Sequence, residues 1–584
     1  MIRTESALGR HIERWGFLLA GLIVTAILVV MFYYPVTIVL ADAVLIDGRL
    51  DPGQLWAIIT DEFYFGIVAG LLTRPIETLT TPTETPLGLF GFTTLQAVLS
   101  TIASILLGLP GAYVLARFEF PGRKTIRSLT ALPFVMPSIM VAIGFVAMFG
   151  SNGTLNTVLT ALGLPKLELM FTLEIIVLAH AFYDAPLIAR ITAAAWENVD
   201  ARMIETARSL GAGPNRAFRD VIVPQLLPAV LTGALLTFIF SFLSFAIVLA
   251  LGGLELATVE VWVFHSVNQL EYGTAATLAV LETVLSLVLT YGYLRYEARQ
   301  RATRTARPQD RSPLFGELTT ARVGVYAYSV LAVIIFVGPI ASMLVASVTG
   351  PEGLTLRNYE FLLRRQIEAY SFQVKPLTAI QNSLLFGVTS LAIAVPMGVL
   401  LAILSTRNFR GRKLIDALAM APFAVSGIVV GLGLLRGLVF GIEIGDRRIQ
   451  VAGALAIVAA HAVGAYPFVT RNVAPMLSSL DRTLVESARA LGATRMRVLL
   501  DIELPLVFSG IIAGAAFAFA ISMGEFDSTV ILATGGQSYT IPVAMERFLG
   551  RRLGPATAMG CILLVVTAVS FVVIDRVGEG FHRG

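Results

Sequence analysis

Long apolar stretches alternate with short charged ones along the whole chain. Crossing the hydrocarbon of a bilayer takes about 20 residues of helix. Twelve runs come near that length: 16–40, 93–116, 130–149, 171–193, 226–250, 273–294, 323–348, 382–404, 417–440, 451–473, 507–532 and 556–574. Several contain proline or glycine, which membrane helices tolerate where neighbours satisfy the freed backbone groups. The first run follows Arg3, Arg10 and Arg14 and precedes Ala41-Asp42-Ala43, which imitates a signal-peptidase site. At 25 residues it exceeds the about 7–15 of a signal core, so it is read as a retained first helix. The pattern predicts an all-α polytopic membrane protein with about 12 transmembrane helices.

The runs fall into two series. Leu132 to Gly144 reads LPFVMPSIMVAIG and Ala421 to Gly433 reads APFAVSGIVVGLG, an offset of 289 that also aligns Gly122-Arg123-Lys124 with Gly411-Arg412-Lys413. Further on the offset is 281, because the first copy has a longer outer loop at 151–169. It pairs His180 with His461, Pro186 with Pro467, Arg190 with Arg471 and Asp200 with Asp481. Six helices per copy give both copies the same orientation, so these are parallel repeats about an axis along the membrane normal. The expected organisation is a first six-helix domain at 1–298, a cytoplasmic linker at 299–320 and a second six-helix domain at 321–584. The linker is polar, arginine-rich and carries two prolines.

Composition agrees: 56% of the 584 residues are hydrophobic and 14% charged, against about 25% charged in soluble proteins. Net charge is only +4, but its placement orients the chain. With the N-terminus inside, the cytoplasmic segments hold 30 of the 43 lysines and arginines, which predicts a multi-pass cytoplasmic-membrane protein with both termini cytoplasmic. The single cysteine, Cys561, excludes an intrachain disulfide, and no Cys/His cluster suggests zinc. No Gly-x4-Gly-Lys-Ser/Thr phosphate loop is present, and no nucleophile–base pair can be placed. No catalytic or metal residue and no nucleic-acid partner is expected.

Between the fourth and fifth helices of each copy lies a charged segment, 198–225 and 479–506, that reads as helix–turn–helix. Asp200 and Asp481 suit N-caps, and Gly211 and Gly492 suit the left-handed residue that ends a helix. Pro214 fits a first helical turn, Thr494 a cap, and Pro224 and Pro505 mark where the fifth helices begin. Met203, Ile204 and Ala207, and likewise Leu484, Val485 and Ala488, can face the bundle or a partner. The i,i+3 pairs Glu205–Arg208 and Glu486–Arg489 would add only a few tenths of a kcal/mol. A docking partner better explains why such short helices would be ordered.

These residues carry a resemblance. Glu205, Ala207, Gly211, Val221, Val223 and Pro224, and again Glu486, Ala488, Gly492, Ile502, Leu504 and Pro505, resemble the "EAA" loop of permease subunits from binding-protein-dependent ABC importers. Thr206 and Ser487 depart from the first alanine of the usual Glu-Ala-Ala. The resemblance covers nearly the whole chain as a fused double permease. It implies that Glu205, Ala207, Gly211, Pro224, Glu486, Ala488, Gly492 and Pro505 couple to two copies of a separate ATP-binding cassette ATPase. It further implies an extracytoplasmic solute-binding protein as partner, ATP bound on the partner ATPase and no cofactor on this chain.

A rival reading is a secondary transporter of the major facilitator type, which also has twelve helices in two parallel halves. Its signature loop between helices two and three is matched here only by the closing Gly-Arg-Lys, without the opening Gly and the Asp. Ionisable residues inside the spans are functional candidates by default. Glu525 and Asp527 lie about 20 residues beyond Pro505, roughly 30 Å along a helix, and read either as a cation-attracting outer gate or as carboxylates at headgroup level. Their first-copy counterparts are Ser244 and Ala246. Glu282, deeper in the sixth helix, is the better pathway candidate. His180 and His461 are read as packing and hydrogen-bonding positions, and Gly427-x3-Gly431 as close helix packing. Loops 41–91 and 349–380 are long enough to meet a binding protein; the first is acidic, with Asp42, Asp47, Asp51, Asp61, Glu62, Glu77 and Glu84 against Arg49 and Arg74. Fused double permeases of this layout resemble transporters of thiamine and ferric iron, two cationic cargoes of equal standing here; sulfate, molybdate and polyamine importers share the same loop.

Overall fold

The computed structural model describes residue 19 and residues 21–582, apart from 47–48, 81–85, 130–135, 301–310, 316–318, 352, 365–372, 408–411, 445–446 and 534. The N-terminal arginines, Asp47, Glu84, Leu132-Pro133-Phe134, Gly411 and most of the linker lie outside the described residues. Among the described residues the chain is helical, and nine helices are long and apolar enough to cross a membrane, or eleven if two bent pairs count as spans.

In chain order the helices used below are α1 (Gly21–Val44), α2 (Gly88–Arg117), α3 (Ser138–Phe149), α4 (Leu173–Glu197), α5 (Ala201–Ser209), α6 (Pro214–Ala217), α7 (Val223–Phe242), α8 (Val259–Asn268), α9 (Tyr272–Gln300) and α10 (Thr320–Ser347). The second half continues with α11 (Pro376–Thr406), α12 (Gly427–Leu434), α13 (Gly453–Ser479), α14 (Arg482–Ala490), α15 (Arg495–Val498), α16 (Phe508–Gly524), α17 (Asp527–Leu532) and α18 (Leu553–His582). The ninth expected run is bent by 100° between Asp416–Ala424 and Gly427–Val439, and the chain bends by 68° on entering the eleventh, between Arg495–Leu506 and Phe508–Gly524. The twelfth contains a shorter apolar helix, Leu553–Val569.

The chain divides into two compact units. Unit 1 comprises Met1–Asp42, Phe361–Ala544 and Met559–Gly584; unit 2 comprises Ala43–Glu360 and Met545–Ala558. The opening helix of each sequence repeat thus packs among the helices of the other repeat. In unit 1, α1 lies against the bent ninth span: Tyr33 Oη donates to the Leu418 carbonyl at 2.7 Å, and Arg436 Nε meets Asp42 Oδ2 at 2.6 Å. An added Cβ on Gly433 would fall 2.5 Å from the Pro35 carbonyl oxygen. In unit 2, α10 lies along α2 and α3, where Tyr328 Oη donates to the Leu107 carbonyl at 3.0 Å.

The central helices of both units meet through one repeated packing solution. In unit 2, Gly108 of α2 and Gly233 of α7 both face Ile188 of α4; in unit 1, Gly398 of α11 and Gly514 of α16 both face Val469 of α13. Each glycine lets a neighbouring helix come close to a β-branched side chain, which suits a medium where packing rather than hydrophobic transfer joins helices. Gly427 and Gly431 serve the same end between α12 and α17, where added Cβ atoms would fall 2.8 Å from Asp527 Cβ and 2.9 Å from Ser528 Cα.

Candidate functional site: two coupling segments and a buried polar interior

Each charged segment folds from local signals. Asp200 Oδ1 accepts from the Arg202 amide at 3.0 Å, and Asp481 Oδ1 from the Thr483 amide at 2.9 Å, capping α5 and α14. That bonding by Thr483 holds the Asp481 carboxyl below the usual carboxylate range. Both helices end two residues before a glycine in the left-handed region, Gly211 at φ +88° and Gly492 at φ +87°. Pro214 then occupies the first turn of α6, and Thr494 Oγ1 caps α15 by accepting from the Arg497 amide at 3.2 Å. A π-helical turn follows in each copy, Phe218–Ile222 and Leu499–Glu503, just before Pro224 and Pro505. Proline removes one i→i−4 donor there, and the widened turn re-routes the ladder into the fifth helix.

Neither α5 nor α14 buries a residue fully. Their inward stripes are Ile204 and Ala207, and Val485 and Ala488, all half-buried. Ile204 packs on the cluster of Trp196, Val199, Ile222 and Leu226. Met203 and Leu484, which the sequence left free to face either way, point outward, 45% and 50% exposed. Leu210 and Leu491, just before the glycines, are 83% and 89% exposed. The expected Glu205–Arg208 and Glu486–Arg489 pairs do not form: all four side chains are exposed, and neither glutamate has a cation within ion-pair distance among the described residues. Solvent screening leaves too little gain to hold such flexible chains together. The result is a pair of matched, capped helices that present carboxylates and bare leucines outward.

The residues proposed from sequence for the pathway are placed in three different surroundings. Glu525 ends α16, where its Oε1 accepts from the Ser528 amide at 2.8 Å and hydroxyl at 2.7 Å, and its Oε2 from the Thr529 amide at 3.2 Å and from the Thr529 hydroxyl. It therefore caps α17. Oε2 also lies 3.2 Å from His461 Nε2, and the carboxylate is only 14% exposed. His461 Nδ1 bonds Ser522 Oγ at 2.8 Å, and Ser522 bonds Ser390 at 2.9 Å. Asp527 is half-buried two residues on, beside Gly427. Glu282 is fully buried in unit 2, next to Glu260 of α8, itself fully buried.

Sequence reasoning missed most partners of this interior. In unit 2, His180 Nδ1 contacts Gln96 Nε2 at 2.7 Å and Ser100 Oγ at 3.2 Å, and Ser241 Oγ donates to Asp184 Oδ2 at 3.1 Å. Ser100 and Ser390, and Ser241 and Ser522, occupy matching repeat positions. The usable signal was a polar residue recurring in an apolar run. Ion pairs also tie the segments down: Arg123 and Arg127 hold Glu197 at 2.6 and 3.0 Å in the first copy, and Arg407 pairs with buried Glu503 in the second.

A doubled six-helix repeat with a matched pair of exposed, capped helices after each fourth span defines a permease of the importer class rather than a self-sufficient carrier. The chain matches the family described as binding-protein-dependent transport system inner membrane component over residues 104–302 and again over 394–582, and it belongs to that family. It is thus a multi-pass inner-membrane permease subunit of an ABC importer, a fusion of two permease domains and not an enzyme. The facilitator reading gains no support. Among its relatives are thiamine transport system permease proteins ThiP of Brucella abortus (strain 2308), 28% identical over 83% of this chain and 86% of that protein, and of Escherichia coli (strain K12), 27% identical over 82% and 87%. The ferric transport system permease protein FbpB of Actinobacillus pleuropneumoniae is 22% identical over 95% of this chain and 77% of that one.

Proposed function

We propose that this permease moves a small cationic solute inward by alternating access, driven by two copies of a separate ATP-binding cassette ATPase that seat on α5 and α14. The observation that carries the reading is the outward display of Leu210 and Leu491 beside exposed Glu205 and Glu486, at matched positions and in matched geometry. An exposed leucine gains about 1.5–3 kcal/mol on full burial, which a docking cleft would supply. ATP is bound by the partner, and this chain holds no cofactor of its own. An extracytoplasmic binding protein delivers the solute, and both chain termini face the cytoplasm, in keeping with the excess of arginine and lysine in the segments on that side.

The cargo proposed first is thiamine, because the ThiP relatives align over more than four-fifths of both chains; ferric iron is the alternative that the FbpB relative supports. Glu282, Glu525 and Asp527 serve the cationic pathway, with Glu525 presented by its own hydrogen bonds rather than by open solvent. The test is uptake of labelled thiamine and of chelated ferric iron into proteoliposomes that hold the chain, the ATPase and the binding protein. Uptake of either only with ATP and loaded binding protein supports the reading. Uptake by the chain alone on an ion gradient would sink it.

A further inference from the structure

The last residues of the linker are built into the end of unit 2 that carries α5. Phe118–Glu119 (β1), which follows α2, pairs in parallel with Ser312–Pro313 (β2) from the linker. The Leu314 amide donates to the Glu119 carbonyl at 3.0 Å, and Tyr326 Oη donates to the Leu314 carbonyl at 3.2 Å. The Leu314 side chain is buried among Val114, Phe118 and Val325. One residue upstream of β2, Arg311 Nη2 reaches Glu197 Oε1 at 3.2 Å and Arg311 Nη1 reaches Glu119 Oε2 at 3.6 Å.

Glu197 is the last residue of α4, three positions before the Asp200 cap of α5. A carboxylate at a helix C-terminus opposes the helix dipole, and the surrounding guanidinium groups offset this. The three arginines divide the work. Arg123 is buried, 6% exposed, and also donates to the Leu115 carbonyl, so it belongs to the fold. Arg311 is 36% exposed, and its removal leaves Arg123 and Arg127 on the same carboxylate. What Arg311 adds is a tie between the linker and the residue that leads into α5.

Among the described residues the second copy has no such tie. The counterpart of Glu197 is Ser478, whose hydroxyl donates to the Ala474 carbonyl within its own helix. Its coupling segment is anchored from within the repeat, by Arg407 to Glu503.

We propose that Arg311 is a positioning residue and that, through Glu197 and the β1–β2 pairing, the linker sets the placement of the first coupling helix. The fused chain then has one coupling helix, α5, whose seat depends on the linker, and one, α14, whose seat does not. This rests on the reading of α5 and α14 as the ATPase-docking helices.

The test uses the full complex in proteoliposomes and measures solute taken up per ATP hydrolysed, together with the melting temperature. Arg311→Gln is expected to lower uptake per ATP about fivefold, the lower end of coupling between linked sites, at an unchanged melting temperature. Arg311→Lys, which restores one charge to Glu197, is expected to recover most of the loss. Unchanged coupling in Arg311→Gln, in a preparation where bulky replacements of Gly211 and Gly492 do uncouple, overturns the positioning role alone. If the glycine replacements also leave coupling intact, the docking reading falls and takes this one with it. A loss that comes with a lower melting temperature and is not rescued by Arg311→Lys assigns Arg311 to the fold and overturns the proposal as well.

Discussion

Gly211 and Gly492 offer the sharpest perturbation of the coupling segments. Both sit at φ near +88°, and an added Cβ at either would meet nothing within 4 Å. The penalty for a side chain is therefore conformational, not steric with neighbours: about 1–2 kcal/mol for an ordinary L-residue in the left-handed region. It is larger for a β-branched one, while asparagine tolerates the region well. The helix that bears the penalty is short and buries no residue fully, so it has little stability in reserve. A cost of 1–2 kcal/mol changes the ordered-to-frayed ratio about 5- to 30-fold. Binding-protein-stimulated ATPase activity and uptake should therefore fall in the order wild type, Asn, Ala, Val at each position, with the double Gly211→Val, Gly492→Val variant the most uncoupled. Because nothing surrounds the added atoms, the melting temperature of the membrane part should stay within a degree or two of wild type (a few tenths of a kcal/mol). Asn variants as impaired as Val variants would refute the backbone argument. Fully coupled Val variants would refute the role of these turns.

Other outcomes follow from particular contacts. Replacing Leu210 or Leu491 by Asp should weaken ATPase association in pull-down titrations by about 10-fold or more, the loss expected from about 1.5–3 kcal/mol of leucine burial, without lowering thermal stability. Gly514→Ala should destabilise more than Gly233→Ala in detergent melts, since the new Cβ would fall 2.9 Å from Val469 Cα in one case and 3.4 Å from Ile188 Cγ1 in the other. Glu525→Ala should lower both stability and uptake, because it removes the cap of α17 and leaves His461 without its acid partner; Glu525→Gln should keep more of the stability than of the uptake. Asp481→Asn should preserve α14, as asparagine caps well, whereas Asp481→Ala should speed amide exchange there. Since the Asp481 carboxyl is held below its usual range, its extra stabilisation is present above that range and is lost as pH falls through the lowered folded value, a loss that Asp481→Asn should not show.

The coupling segments were legible because each signal in them is local. A cap, a left-handed glycine and a proline act within a turn of their own position, so Asp200, Gly211 and Pro214 could be placed without knowing anything distant. The spans were legible because lipid imposes length and polarity on each one separately. Exchange of the opening helices was not legible, because hydropathy says that α1 and α10 cross a membrane and nothing about which neighbours they choose. That choice is made by contacts such as Gly433 on Pro35 and Tyr328 on the Leu107 carbonyl, between residues far apart in sequence. The partners of Glu525 were hidden for a related reason. Residue counting gives a distance along α16, whereas the bonds of Glu525 depend on where that helix stops, at Gly524, and on His461, which is far away in sequence.

The pattern of matches and mismatches between the copies has a physical reason. On the proposed reading, two coupling segments that meet two copies of the same ATPase face the same surface twice, so any departure in one would have to be matched by a departure in a partner that has only one sequence. That constraint would hold Glu205 and Glu486, Leu210 and Leu491, and Gly211 and Gly492 equal, as they are. No such constraint reaches the interior. There the copies share a framework, with Ile188 and Val469 clasped by paired glycines, a histidine at the same place in the fourth helix, and the serine pairs Ser100/Ser390 and Ser241/Ser522. The polar residues around that framework have separated: His180 sits with Gln96 and Ser100, His461 with Ser522, Thr529 and Glu525. A homodimer could not do this, because each interior substitution would appear twice. Fusion removes that coupling, so buried and half-buried acids can differ between the copies: Asp184 and Glu282 in one, Glu525 and Asp527 in the other.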